Sequence, residues 1–119
     1  MSLMEIQRKI VERERKYFEN VMDYMEVIKR VVKRELGDDA EVFLFGSIVR
    51  GDFIIGKSDI DVLVISEDVP KTVSGQTEIR VKAMREIGDI AAPFEIHFAD
   101  KGTFDGWYKK FIKSDILKV

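Results

Sequence analysis

The sequence predicts a small α/β domain in which helices flank a mixed β-sheet. A stretch without Gly or Pro, residues 4–36, repeats apolar residues at helical spacing. Two short segments rich in β-formers follow it, Glu41–Phe45 and Asp59–Ile65, and a third, Phe94–Phe98, comes after a further helical segment. The predicted order of elements is therefore α-β-β-α-β-α, with helices on the outside of a three-stranded sheet.

The N-terminal helix is predicted to end at Gly37, which supplies a C-terminal stop. A continuous helix over residues 4–36 would extend about 50 Å, more than a domain of this size needs. We therefore expect that it breaks or that its N-terminal half projects, while its C-terminal half packs on the sheet. A projecting half would offer a surface for a homo-oligomer or a partner. A second methionine, Met4, indicates that residues 1–3 are a vector leader.

The remaining elements are set by glycines and prolines. A helix is predicted from Gln76 to Ile87, because Gly88 follows it, and Pro93 introduces the third strand. The last helix is predicted over Thr103–Ile112, with Gly106 as a weak point inside it.

Composition limits the functional classes. The 119 residues form one domain by size, predicted as residues 1–119. Twenty basic and twenty-two acidic residues give a net charge of −2, which disfavours a nucleic-acid partner. The absence of cysteine excludes disulfides and thiolate metal sites. Without a signal peptide or an apolar run of about 18 residues, we expect no membrane association and a cytoplasmic location.

Gly46 and Ser47 lie where the first strand ends. A glycine there lets a phosphate approach the backbone, and N–H groups of such a turn with a serine hydroxyl can bind an anion. Small residues after a strand more often form an ordinary turn, so this pair is weak evidence by itself.

Two aspartates open the second strand. Residues two apart in a strand point to the same face, so Asp59 and Asp61 would present both carboxylates together. Two such charges repel and are costly to desolvate, and a divalent cation such as Mg²⁺ removes that cost. The alternative is a solvated strand edge in which Ser58 or Asp59 acts as a cap.

The third strand adds a carboxylate. Phe94–Phe98 alternates, which places Glu95 and His97 on the face opposite the apolar residues. If this strand lies beside the second, Glu95 joins the aspartates, and three carboxylates could hold two metal ions about 3.5–4 Å apart. His97 could ligate metal, contact substrate or serve as a general base. It could equally be a partly buried, hydrogen-bonded spacer.

Two runs carry a family resemblance. Gly46 to Gly51 (Gly-Ser-Ile-Val-Arg-Gly) and Lys57 to Val64 (Lys-Ser-Asp-Ile-Asp-Val-Leu-Val) resemble the signature of the DNA polymerase β-like nucleotidyltransferase superfamily. They are most similar to the minimal nucleotidyltransferases, its one-domain prokaryotic members. Val49 replaces a common alanine, a minor departure. The order of elements on both sides fits the same nucleotidyltransferase fold.

The resemblance implies roles for the acidic residues. Asp59 and Asp61 would bind Mg²⁺, and Glu95 would occupy the place of the third acid, which activates the acceptor hydroxyl and completes a two-ion site. The implied reaction is attack of a hydroxyl on the α-phosphate of an NTP, which releases pyrophosphate. We expect ATP as the NTP, so that AMP is transferred.

The resemblance also implies a nucleotide site. Gly46 and Ser47 would hold the β- and γ-phosphates, with Ser58 and Arg50 as further nucleotide-binding candidates. Arg50 would pair with phosphate or brace the carboxylates, although a structural salt bridge is an equally good explanation.

The chain lacks an extra domain to hold an acceptor, so we expect a protein partner to supply it. Minimal nucleotidyltransferases are often paired with HEPN-type toxins in toxin–antitoxin systems, where AMP is transferred to a toxin tyrosine. The alternative is a catalytically idle, antitoxin-like module that neutralises its partner by contact. Transfer to a small molecule ranks below both, because a domain of this size offers little surface to enclose it. Transfer to a nucleic-acid end is disfavoured by the charge balance and the missing binding domain.

Overall fold

The computed structural model describes residues 1–112 and 114–119. The helices are α1 (Leu3–Glu19), α2 (Val21–Leu36), α3 (Ser47–Arg50), α4 (Val73–Ile87), α5 (Lys101–Thr103) and α6 (Lys109–Ile112), with a π-helix (Phe104–Tyr108) between the last two. The strands are β1 (Glu41–Phe45), β2 (Ile60–Ile65), β3 (Phe94–Ala99) and β4 (Ile116–Lys118).

One four-stranded mixed sheet, in the order β3-β2-β1-β4, organises the chain. β1 is antiparallel to both β2 and β4, whereas β2 and β3 are parallel. Parallel neighbours need a crossover connection, and α4 supplies it. The C-terminal end of β1 therefore meets the N-terminal ends of β2 and β3 at one end of the sheet.

The two faces of the sheet are covered unequally. Helices α1, α2 and α4 pack on one face, and their apolar side chains join Val62 and Val64 of β2 in the main core. The other face carries a smaller cluster around Leu63, on which Phe104 and Tyr108 of the π-helix pack. Beyond its first residues, β2 is therefore covered by apolar side chains on both faces. This explains its nearly continuous run of Ile, Val and Leu.

The predicted α/β class and the three predicted strands are confirmed, with small shifts at their ends. β1 has the predicted bounds, β2 begins one residue late and β3 extends to Ala99. Helix α4 begins at Val73, earlier than predicted, because Thr72 Oγ1 accepts a hydrogen bond from Gly75 N and caps its first turn.

The predicted N-terminal helix is two helices that meet at Asn20. This residue has φ −119° and ψ 34°, outside the helical region, and its Nδ2 donates to Lys16 O. Asparagine favours such local backbone hydrogen bonds over a helix interior. Of the two expectations for this segment, the break is therefore the correct one.

Helix α1 nevertheless packs on the rest of the chain over most of its length. Tyr17 and Phe18 are buried in the main core, and Phe18 stacks on Phe53 at 5.0 Å between ring centres. Further towards the N-terminus, Val11 lies against Gly56, where a Cβ would come within 2.9 Å of Val11 Cγ2. Only the first turns, with Leu3 and Met4 about four-fifths exposed, extend beyond the body.

Two elements were not predicted, and one is divided. Helix α3 and strand β4 have only four and three residues, too few to show a periodic pattern. The last helix begins at Lys101 and passes through a π-helical turn that contains Gly106, the predicted weak point. Strand β4 completes the sheet by pairing with β1. Within residues 1–112 and 114–119, no helix combines the length and the apolar character needed to cross a membrane.

Candidate active site

Strand register brings the candidate residues to one end of the sheet. Asp61 of β2 is the partner of Phe45 on one side and of Glu95 on the other. His97 follows two residues later on β3 and therefore faces the same way as Glu95. The condition on which Glu95 joins Asp61, that the third strand lies beside the second, is thus met by the sheet.

Asp61, Glu95 and His97 form a compact cluster on the less covered face. One ligand atom from each side chain lies within 4.8 Å of the others. His97 Nε2 is 3.7 Å from both Asp61 Oδ1 and Glu95 Oε1. The side chains of Asp61 and His97 are 26% and 30% exposed, and that of Glu95 is 54% exposed, so the cluster opens to solvent on the β3 side.

Asp59 is not a member of this cluster. The expected direction of the Asp59 side chain relied on strand alternation. Because β2 begins at Ile60, Asp59 lies outside the strand and alternation does not set its direction. Its side chain is exposed and lies just before the strand. The expectation that Asp59 and Asp61 present their carboxylates together therefore stays a prediction, and Asp61, Glu95 and His97 are the groups that the structure brings together.

Gly46 packs directly against Asp61. Its backbone has φ 77° and ψ −145°, and a Cβ there would lie 2.8 Å from Asp61 Oδ2. This backbone region is accessible almost only to glycine. The peptide is also held on both sides, since Gly46 N donates to Asp115 O and Gly46 O accepts from Val49 N. The glycine is required at this position by both its conformation and its neighbour.

The other nucleotide-binding candidates have different surroundings. Ser47 begins α3 directly after Gly46, next to the cluster in sequence. Ser58 Oγ accepts a hydrogen bond from Ile54 N and so closes the loop before β2. Arg50 pairs with Asp52 at 3.2 Å and with Asp115 at 3.4 Å, and both acids raise the pKa of its guanidinium. Arg50 thus occupies the structural salt bridge rather than a contact with the carboxylate cluster.

Aromatic side chains that were not predicted from the sequence border the cluster. The ring centre of His97 lies 5.3 Å from that of Phe45 and 6.5 Å from that of Tyr108, both with edge-on geometry. Burial raises the pKa of the Tyr108 hydroxyl, an effect that the positive charge of Arg80 partly opposes. Phe45 could have been found from its place one residue before Gly46, whereas the position of Tyr108 depends on the π-helix.

The donor set of the cluster fits a divalent cation. Two carboxylates and an imidazole present oxygen and nitrogen ligands that can converge on one ion. A cation there would also relieve the repulsion between neighbouring Asp61 and Glu95. The backbone of the Gly46 turn lies beside Asp61 of this cluster. Backbone N–H groups there could bind the phosphates of a nucleotide whose metal ion is held by the cluster.

Comparisons with known proteins agree with this geometry. The family of nucleotidyltransferase domains matches residues 25–118. A crystal structure of a candidate nucleotidyltransferase is 35% identical, covering 80% of this chain and 96% of its own, with a TM-score of 0.60. Another, from Sulfolobus solfataricus at 1.40 Å resolution, is 22% identical, covering 97% and 83%, with a TM-score of 0.46. No curated protein matches. The chain therefore belongs to the family of nucleotidyltransferase domains, as the resemblance in its Gly-Ser and Asp-x-Asp motifs indicated.

Proposed function

We propose that the protein transfers AMP from ATP to a hydroxyl group on a protein partner, with Mg²⁺ as its metal. The observation that carries this proposal is the cluster of Asp61, Glu95 and His97 in contact distance of the Gly46 turn. Membership of the nucleotidyltransferase family supplies the reaction class. A HEPN-type toxin is the partner that the resemblance to minimal nucleotidyltransferases favours.

The phosphate side of the site is the β1 side. Gly46 and Ser47 leave the end of β1 beside Asp61, where the missing side chain of Gly46 permits close approach to the backbone. We propose that this turn and the Ser47 hydroxyl hold the β- and γ-phosphates. Ser58 supports the same site by fixing the loop before Asp59, through its hydrogen bond with Ile54 N.

The acceptor side is the β3 side, where Glu95 is the most exposed of the three clustered groups. In the proposed reaction Glu95 takes the proton of the acceptor hydroxyl, whose oxygen forms a bond to the α-phosphorus. The bond from that phosphorus to the bridging oxygen of the β-phosphate breaks, and pyrophosphate leaves. His97, 3.7 Å from both carboxylates, helps to hold them in position or shares the proton.

The carboxylates serve metal binding in the same proposal. Asp61 and Glu95 would hold Mg²⁺, which neutralises charge on the phosphates during transfer. We include Asp59 as a further ligand, because its exposed side chain precedes β2 by one residue and can change rotamer freely. A two-ion site would also use the Asp59 carboxylate, so Asp59→Asn should weaken Mg²⁺ binding.

The test uses α-³²P-labelled NTPs, supplied one at a time with Mg²⁺ and a lysate of the source cell. Wild-type protein is compared with Asp61→Asn, and labelled products are separated on a gel. We expect one labelled protein band with ATP, absent for Asp61→Asn, because loss of this carboxylate removes both a metal ligand and a neighbour of the base. The band would also give the size of the acceptor.

A matched control separates chemistry from folding. Asp68→Asn changes an exposed aspartate just beyond the opposite end of β2 and should label the same band as wild type. Both variants should keep the wild-type circular dichroism spectrum. Full labelling by Asp61→Asn, or no labelling by folded wild type with the partner present, would contradict the proposal.

One observation favours a second function, a binding module without chemistry. The first turns of α1 expose Met4 and Ile6, with Met4 78% exposed, as expected of a contact surface. Neutralisation of the partner by the Asp59→Asn/Asp61→Asn double variant in the absence of ATP would support this function. Neutralisation that needs ATP and both carboxylates would support nucleotide transfer.

A further inference from the structure

Arg80 lies at the outer edge of the strand that carries Glu95. Its Nε donates to Ile96 O at 2.9 Å, and its guanidinium carbon lies 5.1 Å from the centre of the Phe98 ring. β3 is an edge strand, so this contact is on the side away from β2. The two contacts hold a positive charge beside the strand residue that separates Glu95 from His97.

This charge has no carboxylate partner within 4.0 Å among the residues that the structure describes. Lys82, two residues later on α4, differs in this respect, since it pairs with Glu35 and Glu78. Arg80 is also only partly exposed. A partly desolvated cation without a counter-ion attracts an anion more strongly than one in open solvent.

The position of Arg80 indicates that an anion bound to it would belong to the acceptor rather than to the nucleotide. Gly46 lies on the β1 side of Asp61 and Glu95 on the β3 side. If the phosphates occupy the Gly46 side, the acceptor approaches from the β3 edge, where Arg80 lies. Its charge also acts on the hydroxyl of Tyr108, whose ring borders His97, so the field of Arg80 reaches the face of the cluster.

We propose that Arg80 is an acceptor-binding residue that selects a protein segment with a carboxylate side chain close to the acceptor hydroxyl. The inference rests on the proposed function, because it assumes a protein acceptor. A guanidinium has five N–H donors, and those beyond Nε can bind a carboxylate through two parallel hydrogen bonds. With a net charge of −2 the chain as a whole does not attract polyanions such as nucleic acid, so the anion is bound through the local charge of Arg80.

The test measures peptide binding, without chemistry. Two fluorescently labelled peptides are titrated with the protein, Mg²⁺ and a non-hydrolysable ATP analogue, and anisotropy is recorded. One peptide has a central tyrosine flanked by glutamates, and the other has glutamines in their place. We expect wild type to bind the glutamate peptide about fivefold to tenfold more tightly, and Arg80→Gln to bind both peptides equally.

The control is Arg85→Gln, which removes an exposed cation from the last turn of the same helix and should keep the wild-type preference.

Equal binding of both peptides by wild type, or binding of neither, would overturn the proposal. An unchanged preference in Arg80→Gln would also overturn it, and so would weaker binding of the ATP analogue by that variant. A purely structural Arg80 would lower the midpoint of urea unfolding without changing the preference. The labelled band from ATP is independent of these titrations, so failure here is distinguishable from failure of the proposed function.

Discussion

At the residue scale, the contact between Gly46 and Asp61 joins the two halves of the candidate site. The absence of a side chain at Gly46 leaves the Asp61 carboxylate where it lies, since a Cβ would come within 2.8 Å of Oδ2. The register of β1 and β2 makes this contact possible, because Phe45, which precedes Gly46, is paired with Asp61. The candidate phosphate-binding turn and the candidate metal ligand Asp61 are thus coupled through a single steric contact.

Gly46→Ala tests this coupling. The new methyl group would displace the Asp61 carboxylate, so we expect at least a tenfold loss of nucleotide transfer, and the backbone strain should cost about 1–3 kcal/mol of stability. Gly88→Ala is the matched control, since Gly88 has φ 92° but nothing within 4 Å of its Cβ position. It should be destabilised by a similar amount, about 1–2 kcal/mol, with normal transfer. Equal activity of both variants in the labelled-band assay would show that Asp61 tolerates the methyl group.

Arg50 provides a second prediction at this scale. Its ion pairs with Asp52 and Asp115 connect α3 to the residue before β4, which favours the structural salt bridge over a role in phosphate binding. We expect Arg50→Gln to leave the KM for ATP within about twofold of wild type and to lower the urea midpoint slightly, because the pairs are exposed. A large rise in KM with an unchanged midpoint would instead assign Arg50 to the phosphates.

At the scale of elements, Asp89 anchors α1 to the loop between α4 and β3. Asp89 Oδ2 accepts a hydrogen bond of 2.7 Å from the buried Tyr17 hydroxyl, and Arg13 binds the same carboxylate at 2.9 Å. The hydrogen bond from Tyr17, with those from Ala91 N and Arg13, lowers the pKa of Asp89. Burial and the same hydrogen bond raise the pKa of Tyr17. The helix break at Asn20 therefore does not leave α1 detached.

Asp89→Asn should weaken this anchor. We expect a loss of about 1–3 kcal/mol at neutral pH, mostly from the Tyr17 contact, since Arg13 is more exposed. A carboxyl group with a lowered folded pKa contributes stability above its unfolded pKa and loses it as the pH falls through the folded value. The difference between wild type and variant should therefore shrink below about pH 4. Urea unfolding across this range measures it, and a difference independent of pH would contradict the assignment to the charged form.

At the scale of the whole molecule, the chain is elongated, with principal extents of 47 × 29 × 24 Å. Met4 and Ile6 at the start of α1 are exposed large apolar residues, and others, among them Ile54, Val73 and Ile90, lie elsewhere on the surface. Exposed apolar side chains within one helical segment can form part of a contact with another protein chain. Self-association through the N-terminal helix stays a prediction on this basis.

Light scattering after size-exclusion chromatography tests that prediction. We expect wild type to show a mass above the 13.8 kDa of one chain, and Met4→Gln/Ile6→Gln to return it to that value. Met22→Gln, a partly exposed methionine on α2, serves as the control and should not change the mass. A monomeric mass for all three proteins would contradict self-association through α1.

Residue patterns determined the local features of this protein. The apolar periodicity of the first helical segment, the β-formers of each long strand and the Gly-Ser and Asp-x-Asp motifs are all encoded within short windows, where propensity and alternation act. The alternation of Phe94–Phe98 correctly placed Glu95 and His97 on one face. Strands β1 to β3 and the family could therefore be predicted from the sequence.

Tertiary structure decided how these pieces meet. The register that aligns Asp61 with Glu95, the pairing of the three-residue β4 with β1, and the π-helix that brings Tyr108 to His97 depend on contacts between segments far apart in sequence. The exclusion of Asp59 from the cluster has the same origin, because the first residue of β2 is set by pairing with its neighbours. Local propensity contains no term for such contacts, so the sequence predicted candidate residues and the face on which Glu95 and His97 lie, but not the contacts between strands.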